Sequence, residues 1–258
     1  MLTKTKNWLL ITGGVLILTS PLTAQNAVDH LAKGDAYANA FDNDKALAEY
    51  MAAYHADSSN CTALWKIAEA HIDLGEEAQK SIQRQHYYLA EQWARKALAQ
   101  CPDTANAHFF VAVSSGLIAL YEGGKTKVQL SRIVKDEAEK TLALDPNHHG
   151  AYHVLGRWNR EIANLSWILK LAAKIIYGGV PPGASNEAAV ASFKKAIAIK
   201  PDWINHHKEL GITYMKMKKW ELAKQEFERV LKLPIADHQD DFHKQVCRKL
   251  LEEIAKKH

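Results

Sequence analysis

No run of alternating β-branched residues and no Asn-Gly hairpin signal occurs in the 258 residues. That excludes a fold built on half-buried strands. Charge of one sign is also missing: 33 Lys and Arg stand against 29 Asp and Glu, a formal net charge of +4. So small an excess gives no general argument for nucleic acid as a partner. The glycines at 178, 179 and 183 lack the Lys-Ser/Thr sequel and the preceding strand of a phosphate loop. There is no G-x-S-x-G elbow and no Cys/His nucleophile pair. Without a preorganised constellation of this kind, catalysis is not expected, and neither is a cofactor. Histidines number 13, with His149 and His153 four residues apart. Yet no H-E-x-x-H arrangement follows, and no Cys or carboxylate pattern completes a tetrahedral site. No metal is expected. The histidines read as polar groups at helix starts and on a groove wall.

What is present points to helix, since the chain is rich in Ala, Leu, Lys, Glu and Gln. Residues 1–24 stand apart. Lys4 and Lys6 precede an apolar run from Trp8 to Leu18, which Ser20 and Pro21 break. The run is shorter than the roughly 20 residues of a membrane span. It has the form of a secretory signal, with Leu22-Thr23-Ala24 as the cleavage site before Gln25. In a bacterium this places the remainder in the periplasm or outside the cell. The alternative is an uncleaved N-terminal anchor.

The rest is repetitive. From His207 to Leu233, Leu210 and Gly211 are followed by Tyr214, then Ala223, Phe227 and Val230. Small residues let two helices approach at one crossing, and aromatics fill the space beside it. The same offsets recur at Gly34, Tyr37, Ala46, Tyr50 and Ala53. Weaker copies carry Ala68, Ala90, Ala94 and Ala97, then Ala112, then Leu155, Gly156, Ala189, Phe193 and Ala196. Pro102, Pro146 and Pro201 close three of the units, because proline stops one helix before the next begins. This is the tetratricopeptide (TPR) pattern. It predicts an all-α, TPR-like right-handed α-solenoid of about five helix-turn-helix units with helical insertions. The repeat domain spans 27–235, with units near 27–60, 61–104, 105–148, 149–203 and 204–237. Extra residues fall near Gly75–Gln85, near Tyr121–Val128 and, most of all, over Ile162–Gly183. Residues 238–258 form a C-terminal capping helix whose stripe is Phe242, Val246, Leu250, Leu251 and Ile254. Asp240 or Asp241 would cap its N-terminus.

The fourth unit carries more than the general pattern. It reads Gly156-Arg157-Trp158, then Leu165-Ser166-Trp167, then Pro181-Pro182, then Ala189 and Phe193. Over about Leu64 to Leu233 the chain resembles the regulator of microtubule dynamics family of TPR-like proteins. The resemblance implies an all-helical, non-catalytic interaction domain. Eukaryotic members are linked to microtubules, and the TPR domain of one member to phospholipid at membrane contact sites. This chain differs in opening with an export signal.

TPR stacks bind partners on the concave wall made by each unit's first helix. Equivalent places here give Trp65, Phe109, His153, Arg157, Arg160, Asn205 and Lys208 as candidate binding residues. Arg157, Arg160 and Lys208 would form a basic cluster for an acidic peptide or a lipid headgroup, since arginine binds carboxylate and phosphate bidentately. The alternative is that the arginines pair with Glu161, Glu209 and similar neighbours. The partner is thus a protein or peptide on the concave face, with phospholipid as the second class. The insertion helix, with Trp167, Leu171 and Ile175, is apolar over more than half its circumference. The Gly/Pro loop after it favours a helix buried against the solenoid. The other reading is a lid, or a membrane-touching element with Lys170 and Lys174 at headgroup level. Cys61 opens one helix and Cys101 ends the next, so antiparallel packing brings them together. They form a disulfide in an oxidising compartment if their Cα atoms lie within about 7 Å, and otherwise remain free thiols. Cys247 is left over for the cap.

Overall fold

The computed structural model describes residues 21–177, 179 and 183–256, apart from the side chains of 21–24, 172, 176 and 177. The expected leader lies outside these residues as far as 20, as do Pro181 and Pro182. Twelve α-helices follow one another, and no strand occurs among the described residues. They are α1 (Pro21–Asn39), α2 (Asn43–Ala56), α3 (Cys61–Glu77), α4 (Lys80–Gln100), α5 (Ala105–Glu122), α6 (Gly124–Leu144), α7 (His149–Ala163), α8 (Trp167–Tyr177), α9 (Asn186–Ile199), α10 (Ile204–Lys216), α11 (Trp220–Lys232) and α12 (Asp240–Ala255).

The helices pair as α1/α2, α3/α4, α5/α6, α7/α9 and α10/α11, and α12 covers the last pair. The first helices touch one another in series, α1 on α3, α3 on α5, α5 on α7 and α7 on α10. They form one continuous wall, with the second helices behind it. The chain is therefore an all-α, TPR-like solenoid.

Three of the pairs, α1/α2, α7/α9 and α10/α11, are held at a point where a glycine meets an aromatic ring. A Cβ on Gly34 would stand 2.4 Å from Tyr50, on Gly156 2.7 Å from Phe193, and on Gly211 2.4 Å from Phe227. All three rings are fully buried. Only a missing side chain lets the helices come this close, and the ring then occupies the space beside the crossing. The starts of α2, α3, α7 and α9 are fixed by side-chain caps. Asn60 Oδ1 accepts from the Ala63 N–H at 3.0 Å, and Ser185 Oγ accepts from the Ala188 N–H at 3.0 Å. Such caps each contribute about 1 kcal/mol.

The extra residues of the second and third units make no separate loops. They lengthen the helices: α4 and α6 have 21 residues each, against 13 in α11. Cys61 and Cys101 are joined in a disulfide with Cα atoms 6.1 Å apart. It ties the start of α3 to the end of α4, while Cys247 is buried in α12.

Three expectations fail in detail. The insertion helix α8 is not buried. Trp167 is 73% and Ile175 76% exposed, and Ile168 and Leu171 are exposed with them. Its seam is narrow: Leu165 and Leu169 pack on Val134, Trp158 and Ile162, and among the described side chains of the helix only Ala173 is fully enclosed. A helix apolar over most of its circumference has more apolar surface than one seam can cover. In α12, Phe242 faces out, while His243 and Cys247 take the buried side. Asp240 does not cap its own helix. Its carboxylate accepts from the Ala236 and Asp237 N–H groups at 2.8 and 2.9 Å, and so shapes the preceding loop.

Candidate functional site

The wall of first helices encloses a groove of about 450 Å³. α3 contributes Trp65, Lys66, Glu69 and Glu76. α5 contributes Asn106, Phe109, Phe110 and Val113, and α7 contributes His149, His153, Arg157 and Trp158. The turn into α10 adds Lys200 and Trp203, followed by Asn205 and His206. One end is aromatic. The Trp65 and Phe110 rings stack with centroids 5.6 Å apart, and Phe109 leans on His148 at 4.4 Å. Most charges along the floor are already engaged. Lys66 bridges Asp35 and Glu69, each at 3.0 Å, and Lys127 holds Glu161 at 2.5 Å.

Two polar groups in the groove are not engaged. The Nε of Arg157 and the Oδ1 of Asn205 are buried without a hydrogen-bond partner. One is a donor and the other an acceptor. Buried polar atoms are rarely left this way, because each forfeits its hydration. Lys200 offers a third group: its Nζ lies 3.8 Å from the centre of the Trp203 ring, and burial lowers its pKa.

Of the seven binding candidates, Trp65, Phe109, His153, Arg157 and Asn205 line the groove. Arg160 and Lys208 do not. Arg160 donates to the Glu209 carbonyl at 3.0 Å and pairs with its carboxylate at 2.5 Å. Lys208 pairs with the same carboxylate at 3.2 Å and meets His243 Nδ1 at 3.2 Å. Burial alone would raise the pKa of Glu209, but Lys208 and Arg160 outweigh it and hold the group well below the usual carboxylate range. The expected three-residue basic cluster is thus one groove arginine beside a buried ion network. Trp167, Leu171 and Ile175 do not line the groove either, so α8 is not its lid.

Histidines form a chain along the α7 and α10 side. His149 Nδ1 meets His206 Nε2 at 2.9 Å, and His206 Nδ1 meets His153 Nδ1 at 2.9 Å. Each neutral imidazole has one donor and one acceptor, so three in line can satisfy one another. Burial lowers all three pKa values: to about 4 at His149, to about 3 at His206, and well below the ordinary value at His153. Sequence reasoning missed this chain, since His206 lies more than 50 residues from both partners. It also missed a repeated device behind the turns. His108 spans Glu137 and the Pro102 carbonyl, and His207 spans Glu226 and the Pro201 carbonyl. Both histidines occupy the same offset from a closing proline.

The family of Regulator of microtubule dynamics protein 1-3 matches residues 26–255. The chain belongs to this family. Regulator of microtubule dynamics protein 1 of Bos taurus is 29% identical over 170 residues, 65% of this chain and 53% of that protein. Regulator of microtubule dynamics protein 3 of Bos taurus is 32% identical over 139 residues, 54% of this chain and 29% of that protein. The chain thus spans about half the length of the first relative and under a third of the second. Among solved structures, a thermophilic TPR protein of Thermus thermophilus aligns over 86% of this chain and 99% of its own, with a TM-score of 0.63 at 13% identity. That likeness supports the fold alone. Trp158, one of the residues that carry the resemblance, donates from Nε1 to the Ser131 carbonyl at 2.7 Å and anchors α7 on α6.

Proposed function

We propose that this protein is a non-catalytic interaction scaffold whose concave groove binds an extended peptide segment of a partner protein. The observation that carries the reading is the pair of unengaged groups, Arg157 Nε and Asn205 Oδ1, in one groove with an aromatic end. A peptide group brings one N–H and one C=O, so it can answer both, while an apolar side chain fills the site at Trp65 and Phe109. A carboxylate on the segment would add a charge-assisted bond to Arg157. Binding of an array of extended hexapeptides, with and without acidic residues, tests this. Arg157→Ala and Asn205→Ala should abolish capture without lowering the melting temperature. Equal capture by both variants would refute the groove as the site.

Export belongs to the same reading. It is supported by the basic and apolar segment before Gln25 and by the Cys61–Cys101 disulfide, since such bonds persist outside reducing compartments. Intact mass of the protein from its own host gives the cleavage point, and alkylation before reduction gives the thiol count. Free thiols at both positions would count against export.

A second reading has its own observation. The open face of α8 sets Trp167, Ile168, Leu171 and Ile175 toward solvent with Lys170 and Lys174 nearby. An amphipathic helix of this kind lies in an anionic phospholipid surface. No helix among the described residues is long and apolar enough to cross a membrane. Flotation with anionic and neutral vesicles separates this reading from peptide capture.

A further inference from the structure

The loop between α11 and α12 reaches back to α3, across more than 160 residues of sequence. There His238 comes beside Asp73 and Glu76, and one donor atom from each lies within 4.8 Å of the other two. We propose that these three residues form a binding site for a divalent transition-metal ion, with Zn²⁺ the best match and Mn²⁺ next, which clasps the C-terminal loop to the second repeat.

Two observations support the clasp. First, the His238 side chain is only 8% exposed, and its Nε2 is buried without a hydrogen-bond partner. The Glu76 Oε2 lies 3.6 Å away, beyond hydrogen-bonding range. An imidazole nitrogen left bare in the middle of two carboxylates is a ligand position. Second, the other ring nitrogen, Nδ1, faces Asp237 Oδ1 at 3.4 Å. Carboxylates in this place orient metal-binding histidines and fix the tautomer that leaves Nε2 free. Asp237 is itself fixed, since its carboxylate accepts from the Gln239 N–H at 2.9 Å and its own N–H donates to Asp240 at 2.9 Å.

The donor set selects the metal. Ca²⁺ and Mg²⁺ take oxygen ligands almost throughout, whereas one imidazole with two carboxylates suits Zn²⁺ or Mn²⁺. Bonds of about 2.0–2.2 Å to one ion put its ligands roughly 3–4 Å apart, so the three donors need only draw in slightly. Glu76 also lines the groove. The ion would sit at the groove rim, and its occupancy would set how firmly the C-terminal loop is held to the second repeat.

The full chain, stripped with EDTA, is titrated with ZnCl₂ by calorimetry, and its melting is followed with and without Zn²⁺. One equivalent should bind and raise the melting temperature. Asp237→Ala should weaken binding roughly 10–100-fold, and His238→Ala should abolish both the binding and the shift. His206→Asn, which alters only the groove imidazoles, should bind as the parent does. Asp73→Asn guards against simple misfolding: it keeps the side chain's size and should lose Zn²⁺ yet melt as the parent does in EDTA. No uptake of Zn²⁺ or Mn²⁺ by the parent overturns the site. So does one-equivalent binding that survives His238→Ala, or that disappears with His206→Asn.

Discussion

The Phe227 ring rests against Gly211 so closely that a Cβ on the glycine would stand 2.4 Å from its Cε1. Both residues are fully or nearly fully enclosed, and the contact joins α10 to α11 at the centre of the last repeat. Neither can move aside without separating the two helices. Gly211→Leu should therefore destabilise by about 1–3 kcal/mol or more, the usual cost of overpacking. Gly116 is the control. A Cβ there meets only Val134 Cγ2 at 3.7 Å. Gly116→Ala should gain up to about 1 kcal/mol from helix propensity. Urea titration of both variants checks the pair, and a parent-like midpoint for Gly211→Leu would overturn the repeat register.

Glu209 is the hinge of the buried ion network. It is shared by Arg160 at 2.5 Å and Lys208 at 3.2 Å. Replacing it with Ala leaves Lys208 without its carboxylate and Arg160 with only the longer contact to Glu161 at 3.7 Å. Breaking a buried pair in this way costs roughly 3–5 kcal/mol. Arg157→Ala, one turn along the groove wall, should cost far less, since Arg157 makes no hydrogen bond among the described residues. Thermal melting separates the two arginine roles that their spacing in sequence does not.

That spacing shows what a sequence of this kind reveals. The pairs Gly34–Tyr50 and Gly211–Phe227 each lie 16 residues apart. Local periodicity sets such contacts, so the repeat and the all-α solenoid were legible. The division of labour between Arg157 and Arg160 was not. Positions three apart on one helix differ in heading by less than a quarter turn, and the choice of direction is made by Glu209 and Thr213 on the neighbouring α10. The state of α8 was illegible for another reason. Its apolar faces look the same in sequence whether protein, lipid or water lies against them. Asp73 and Glu76 share one face of α3, but His238 is brought to them only by the path of the whole wall, a property no short window contains.

Acid should weaken the fold through the histidine chain. His149 and His206 have folded pKa values of about 4 and 3, below the ordinary value of 6.5, and His153 shifts the same way. The unfolded chain therefore takes up protons first as pH falls. The stability that the neutral chain contributes is complete above about pH 6.5. It declines through the window down to pH 3–4, by as much as about 1.4 kcal/mol per pH unit for each site. Asp73 works in the opposite direction, because its folded pKa is raised. The comparison must therefore be with a variant. His206→Asn removes one titrating site and should flatten the fall of the melting temperature between pH 6.5 and 4. An unchanged slope would mean that these imidazoles do not stay neutral in the fold.

The α8 face gives the cleanest separation of stability from function. Trp167 and Ile175 are 73% and 76% exposed, so their removal opens no cavity. Substitutions at such positions usually change stability by less than about 0.5 kcal/mol. Trp167→Ser combined with Ile175→Ser should thus melt as the parent does. If α8 lies in a phospholipid surface, the same variant should lose flotation with anionic vesicles, since the apolar burial that drives insertion has gone. Lys170→Glu with Lys174→Glu should lose binding to anionic vesicles while keeping any residual binding to neutral ones. Peptide capture in the groove should survive both variants, because no described α8 side chain lines it. Loss of capture and flotation together would mean that α8 and the groove act as one surface. Retention of flotation by both variants would remove the lipid role from α8.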